Sequence, residues 1–187
     1  GIVSPSYWLN KDDLEKSAKY FSEAGYRLKL GRSNHLQYGP FAGTAQERAD
    51  DINEMFLNPE IDAIFCARGG YGANKVLPLI DYENIRSNPK IFLGYSDITA
   101  YLTSITQKTD LVTFHGPMLS SFRNEFVQYN YDSMVNMLEL SSKVTISCPE
   151  DISSRILRPG ICEGQIWGGN LTLITNRLGS SDALKTD

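Results

Sequence analysis

Strand-length apolar runs alternate with single amphipathic helical patterns along this chain, and that alternation leaves few folds open. The runs are Ile2-Val3, 26–30, 63–67, 91–93 and 111–114, rich in Ile, Val and Phe and bounded by Gly, Pro or Asp. Asn10 can cap a helix with Leu14, Ala18 and Phe21 on one face, ended by Gly25. Thr44 followed by Glu47 has capping-box spacing, and Ala49, Ile52, Met55 and Phe56 continue it as a buried stripe until Asn58-Pro59. Further helical patterns cover 98–105 and 131–140, the second with Met134, Val135 and Leu138 inward. Strands joined through single helices need crossovers, so the expected fold is α/β with a parallel sheet in flavodoxin-like order.

Four short polar motifs fall where these strands end: Ser-Pro-Ser at 4–6, Ala-Arg-Gly-Gly-Tyr-Gly at 67–72, Gly-Tyr-Ser-Asp at 94–97 and Phe-His-Gly-Pro at 114–117. They therefore share one sheet edge. In an open parallel sheet, ligands bind beyond the carboxyl ends of the strands, where loop amides and helix N-termini converge.

Composition narrows the class further. With 41% hydrophobic and 11% aromatic residues over 187 positions, the chain can bury a full core. A formal net charge of −4 and the lack of a basic stripe argue against nucleic acid or an anionic membrane as partner. No apolar run approaches the roughly 18 residues of a membrane span, and residues 1–4 read as a strand start and not as a signal peptide. Three cysteines, Cys66, Cys148 and Cys162, lack Cys-x-x-Cys spacing, which favours a reduced, cytoplasmic protein. With His35 and His115 as its two histidines and no paired ligand spacing, the chain is expected to hold no metal.

The organisation changes near residue 140. Residues 1–140 form the α/β domain, and 141–163 read as a polar connector with one weak strand at 144–146. Residues 164–187 read as the start of a smaller second domain: a strand at 164–167, then Gly168-Gly169-Asn170 opening a helix with Leu171, Ile174 and Leu178 inward. Gly1 in place of an initiator Met suggests a start other than the natural one, and the end at Lys185-Thr186-Asp187 suggests a second domain cut short.

Ser96 lies between a buried strand and an amphipathic helix, where a sharp turn can lift a serine hydroxyl above the sheet beside helix-start amides. Such a serine can be a nucleophile. Position alone favours a cap for the helix from Asp97, since the hydrolase elbow Gly-x-Ser-x-Gly asks for a second Gly and position 98 is Ile. The loop 68–72 matches neither the phosphate loop nor the dinucleotide fingerprint. Its glycines can form a tight turn, or can bring bare amides to a ligand and serve as an oxyanion hole. The cluster of glycines beside Arg68 favours function. His115 can be nominated as a base for Ser96, although a His before Gly-Pro also fits a wall-forming, hydrogen-bonded side chain. His35 looks solvent-facing or substrate-adjacent, and neither histidine has an obvious orienting carboxylate.

As an ordered set, residues 3–6, 46–49, 67–72, Leu77-Pro78 with Asp81-Tyr82, 94–97, 115–117 and 168–171 resemble the LD-carboxypeptidase family of serine peptidases, which also contains the microcin C7 self-immunity proteins. The resemblance implies a flavodoxin- or class I glutamine amidotransferase-like α/β domain joined to a smaller domain, with a Ser-Glu-His triad at their interface. By position, Ser96 resembles the nucleophile, and the amides of Gly70 and Asp97 match the oxyanion hole. The family's Glu and His follow its Gly-Gly-Asn motif at a distance this chain does not reach. Glu150, Glu163 and His115 do not stand in the matching motifs.

The implied reaction is hydrolysis of an amide between an L-configured centre and a terminal D-amino acid, as in cytoplasmic murein tetrapeptides, through a serine ester and without a cofactor. A small peptide is then the partner, and a homodimer is compatible with it. Arg68, Gly69 and His115 are the expected substrate-binding residues. A carboxypeptidase must recognise a terminal carboxylate, which a guanidinium can hold bidentately, whereas the alternative for Arg68 is a structural pair with Asp97 or Asp81. The Arg68 form of the glycine loop looks more like the carboxypeptidase branch than the immunity branch. A non-catalytic α/β domain binding a peptide or nucleotide, with Ser96 only a cap, is the alternative from another class. On the family reading the chain expressed alone folds but is catalytically silent.

Overall fold

The computed structural model describes residues 1–124, 126–139, 144–146, 152–153 and 155–185. Four parallel strands, β1 (Ile2–Val3), β2 (Ala63–Cys66), β3 (Ile91–Gly94) and β4 (Phe114–His115), are hydrogen-bonded in the order β1-β2-β3-β4. The expected strand at 26–30 is reduced to one parallel bridge, Ile2 to Leu30, on the outer side of β1. Its hydrogen bonds, Ile2 N to Lys29 O and Gly31 N to Ile2 O, use up what a two-residue β1 can offer on that side. Counting that bridge as the second strand gives the flavodoxin-like order, with its reversal at β1.

Register sorts the side chains onto two faces, because successive strand residues point to opposite sides. Ile2, Phe65, Leu93 and Phe114 are paired in one row, and Val3 with Cys66 and Ile64 with Phe92 lie on the other face. The first row meets α1 (Lys11–Glu23) and α5 (Gln128–Leu138) through Leu14, Phe21 and Met134, with Phe122 of the 3-10 turn Leu119–Phe122 beside them. The second meets α2 (Ala45–Leu57), α3 (Tyr82–Ser87) and α4 (Thr99–Thr109) through Ile52, Phe56, Ile85 and Tyr101. Three layers result, with a core on each side of the sheet.

Capping follows the sequence closely. The Asn10 side chain accepts from Asp13 N, Thr44 and Glu47 close a reciprocal capping box, and Gly25 takes a left-handed φ of 92° just past α1. Of the residues expected inward on α5, Met134 is buried while Val135 and Leu138 pack against the core from half-buried positions. The expected end of that helix at Leu140, the connector start at Ser141, and Cys148, Pro149 and Glu150 lie outside the described residues, as do Thr186 and Asp187.

Three strand expectations need correction. Residues 111–113 stay off the ladder, because the Thr113 hydroxyl is held to Leu102 O and Thr106 Oγ1 on α4 and pairing begins only at Phe114. Residues 144–146 and 164–167 form no strand; Ile146 and Ile166 are exposed, and no described neighbour satisfies their backbone ladder. The helix after Gly168-Gly169 does form, as α6 (Leu171–Asn176) capped by Asn170, but its inward residues are Leu173, Ile174 and Arg177, whereas Leu171 and Leu178 are exposed. Its phase is set by α4: Asn170 N donates to Thr99 Oγ1, and Arg177 donates to Ala100 O, Thr103 Oγ1 and Ser104 Oγ.

Candidate active site

Glycine at 94 lets the chain leave β3 in a sharp turn. A Cβ there would lie 2.7 Å from the Ile98 side chain, so the crowding that a second elbow glycine would relieve is absorbed instead by Gly94 beneath a fully buried Ile98. The turn places Ser96 at φ 63°, a left-handed conformation that costs an L-residue roughly 1–2 kcal/mol. Ser96 opens a single 3-10 turn, Ser96–Ile98, that runs into α4, and neither helical start has a side-chain cap. The cap reading of Ser96 is therefore incorrect: the left-handed backbone carries the residue into the first turn, past the position from which a hydroxyl could accept from helix amides. Ser96 is half-buried at the carboxyl edge of the sheet.

The glycine loop meets Ser96 directly. A Cβ on Gly69 would lie 3.0 Å from Ser96 Cβ and 3.3 Å from both Ser96 Oγ and Asp97 N, so any larger residue there would press on the Ser96 turn. Gly69 O accepts from Tyr7 N at 3.4 Å. In a trans peptide the following N–H points the opposite way, so the Gly70 amide faces away from Tyr7 N. No described residue accepts from it, and the Asp97 amide lies in a first helical turn, where intrahelical acceptors are lacking. Gly70 holds φ 135° against the Tyr7 ring, which a Cβ would strike at 2.4 Å.

Arg68 is half-buried, its Nη1 donating to Trp8 O at 3.4 Å and its guanidinium lying 5.6 Å from the centre of the Tyr7 ring. The structural pairs open to it are occupied otherwise: Asp97 accepts from Ser6 and Ala73, and Asp81 caps α3 through Asn84 N. Among the described residues no carboxylate comes within ion-pair distance of Arg68. His115 ends β4 opposite Gly94, exposed, with its ring edge-on to Tyr95 at 6.3 Å, and no hydrogen bond joins it to Ser96. It also lines an open groove of about 1060 Å³ with Phe114, Pro117 and Trp167. His35 is exposed at the end of a 3-10 turn. The described residues contain no group of three or more His, Cys, Asp or Glu able to hold a metal ion, and no helix among them is long and apolar enough to cross a membrane.

Several supporting residues escape a reading of the sequence. Arg48, 2% exposed, donates from Nη1 to Pro5 O at 2.8 Å and to Gly72 O at 3.4 Å, and lies over the Phe41 ring. Burial lowers the affinity of its guanidinium for its proton, opposed by the Tyr101 hydroxyl and the Asp97 carboxylate. The Tyr101 hydroxyl also donates to Pro5 O at 2.8 Å. A signal for Arg48 did exist: it is a cation on the apolar stripe of α2, beside Ala49 and Ile52. For Tyr7, whose ring backs both Gly70 and Arg68, no such periodicity was available.

The first 116 residues match the family model of the LD-carboxypeptidase N-terminal domain. Among curated proteins, the probable murein peptide carboxypeptidase of Bacillus subtilis (strain 168) is 38% identical over all of this chain and 58% of its own length. The microcin C7 self-immunity protein MccF of Escherichia coli is 34% identical over 95% of this chain and 59% of its own. A solved structure of the microcin C7 self-immunity protein MccF in the wild-type apo state superposes with a TM-score of 0.84 at 31% identity, covering 99% of this chain and 64% of that one. The chain thus spans about three fifths of the length of the relatives it matches. With a strained serine at the strand-to-helix turn, a glycine loop against it and the match over residues 1–116, this chain belongs to the LD-carboxypeptidase family.

Proposed function

We propose that this chain carries the nucleophile of a serine-type LD-carboxypeptidase that hydrolyses the amide between an L-centre and a terminal D-amino acid in murein-type tetrapeptides, in the cytoplasm. The observation that carries the reading is Ser96, held left-handed on the rim and bordered by Gly69. Ser96 Oγ attacks the scissile carbonyl carbon while its proton passes to a base. The resulting oxyanion accepts from the amides of Gly70 and Asp97, and collapse expels the D-amino acid with the proton returned to its amine. Water then cleaves the serine ester by the same steps. Arg68, without a carboxylate partner among the described residues, binds the terminal carboxylate of the substrate, and His115 forms part of the wall.

The base and its carboxylate partner are proposed to lie outside these 187 residues, as the family resemblance implies. His115 is not proposed for that role, since its ring packs on Tyr95. The chain alone is then folded and silent, because an unassisted serine hydroxyl stays protonated at neutral pH. Release of D-alanine from an LD-tetrapeptide by the full-length protein, abolished by Ser96→Ala, is the expected result. The similarity to MccF supports a second reading, an immunity-type amide hydrolase using the same rim. Cleavage of a microcin C7-type conjugate with no release from the tetrapeptide would favour it. Failure of a covalent serine probe to label Ser96 in the full-length protein would remove both.

A further inference from the structure

We propose that the Asp97 side chain is a positioning residue for the oxyanion hole, holding the amides of Gly70 and Asp97 in place relative to Ser96. The inference rests on the serine-hydrolase reading above. Asp97 is 2% exposed, and its Oδ2 accepts from Ser6 Oγ at 2.6 Å and from Ala73 N at 3.0 Å. Ser6 belongs to the loop after β1, Ala73 follows the glycine loop after β2, and Asp97 itself follows β3. One oxygen thus ties the ends of three neighbouring strands.

An acidic residue in the first turn of a helix ordinarily accepts from that helix's own amides. Asp97 does not; its donors come from two other loops. A buried carboxylate is acceptor-only and must be supplied with donors, so it selects the loop arrangement that presents them. Arg48 reinforces that arrangement one residue away on each loop, through Pro5 O and Gly72 O, and Gly72 turns at φ 108° to present Ala73 N. The segment 68–73 is therefore held at Ala73 by Asp97 and at Gly69 by contact with Ser96. Both proposed oxyanion donors are positioned by this one side chain, whose Oδ2 is bonded to Ser6 and Ala73.

The test uses the full-length protein and an LD-tetrapeptide. Asp97→Ala is expected to lower kcat about 100- to 1000-fold, the effect of losing oxyanion donors, with KM changed less than about threefold. Affinity for a peptidyl aldehyde, which forms a tetrahedral adduct on serine, should fall in parallel with kcat, whereas affinity for the tripeptide product should hold. Asp97→Asn keeps an oxygen able to accept both bonds and should stay within about tenfold of the parent. Should Asp97→Ala not fold, Ser6→Ala removes one of the two donors and is expected to lower kcat about tenfold at unchanged KM. A folded Asp97→Ala with parental kcat, an Asp97→Asn as impaired as Asp97→Ala, or a parental Ser6→Ala beside an unfolded Asp97→Ala would each overturn the proposal. Activity surviving Ser96→Ala would instead overturn the serine-hydrolase reading beneath it.

Discussion

The rim above β1, β2 and β3 and the described residues between 144 and 169 treat their side chains in opposite ways. On the rim, polar groups go inside: Ser4, Ser6, Arg48 and Asp97 are buried, and each has hydrogen-bond partners within the chain. In the later stretch, apolar groups stay outside, with Ile161 and Ile166 more than nine-tenths exposed. Burying a charge is tolerable only where partners are already in place, so the rim is ordered by its own sequence. The described residues between 144 and 169 find no comparable partners among the described residues.

The largest expected contrast is catalytic. Ser96→Ala in the full-length protein should lower tetrapeptide hydrolysis about ten-thousandfold or more, while Ile161→Ser should leave it unchanged, as read by D-alanine release. Comparable losses from both would erase the distinction between the two regions.

Stability should divide in the same way. Arg48→Met removes the charged hydrogen bonds to Pro5 O, Gly72 O and Thr44 O, whose remaining donors are Tyr101 Oη, Lys75 N and Arg48 N, and is expected to cost about 1–3 kcal/mol in urea unfolding. Ile161→Ser, at a fully exposed position, should stay within about 0.5 kcal/mol of the parent. An Arg48→Met protein as stable as the parent would mean that the buried cation is not holding the rim together.

A smaller effect is expected at Arg68. Lysine keeps the charge but loses the planar fork, so Arg68→Lys should raise KM about tenfold for a free-acid tetrapeptide and less for its C-terminal amide. Equal losses on the two substrates would rule out carboxylate recognition. The smallest effect concerns backbone strain. Ser96→Gly relieves a left-handed residue but frees the unfolded chain, so a net gain of a few tenths to about 1 kcal/mol is expected from the opposing terms, measured by thermal unfolding. A loss of stability would mean that the turn is not under strain.

The fold was legible wherever local rules suffice. The Asn10 cap, the Thr44 and Glu47 box, the Gly25 stop and the alternating faces of β2 and β3 all follow from nearest-neighbour chemistry. The strands at 26–30 and 111–114 came out shorter than expected, because ladder length depends on the neighbouring strand and β1 and β4 have two residues each. The inward face of α6 departs from its apolar pattern for a related reason: Arg177, just past its end, enters a row of α4 hydroxyls, and no apolar periodicity marks such a place.

By itself the sequence determined the class of the fold and the edge on which the motifs gather, and it singled out Ser96 as the candidate nucleophile. Spacing and short motifs carry those, since helix caps, strand alternation and strand-to-helix turns are settled within a few residues. Only the tertiary structure decided that Ser96 is left-handed and caps no helix, that Arg68 lacks a carboxylate partner among the described residues, and that Asp97 bonds Ser6 and Ala73. Ser6, Ala73 and Asp97 are far apart in the chain and meet because parallel strands bring their carboxyl ends to one edge. Contacts of that kind depend on which strands are neighbours, which the packing of the whole sheet decides.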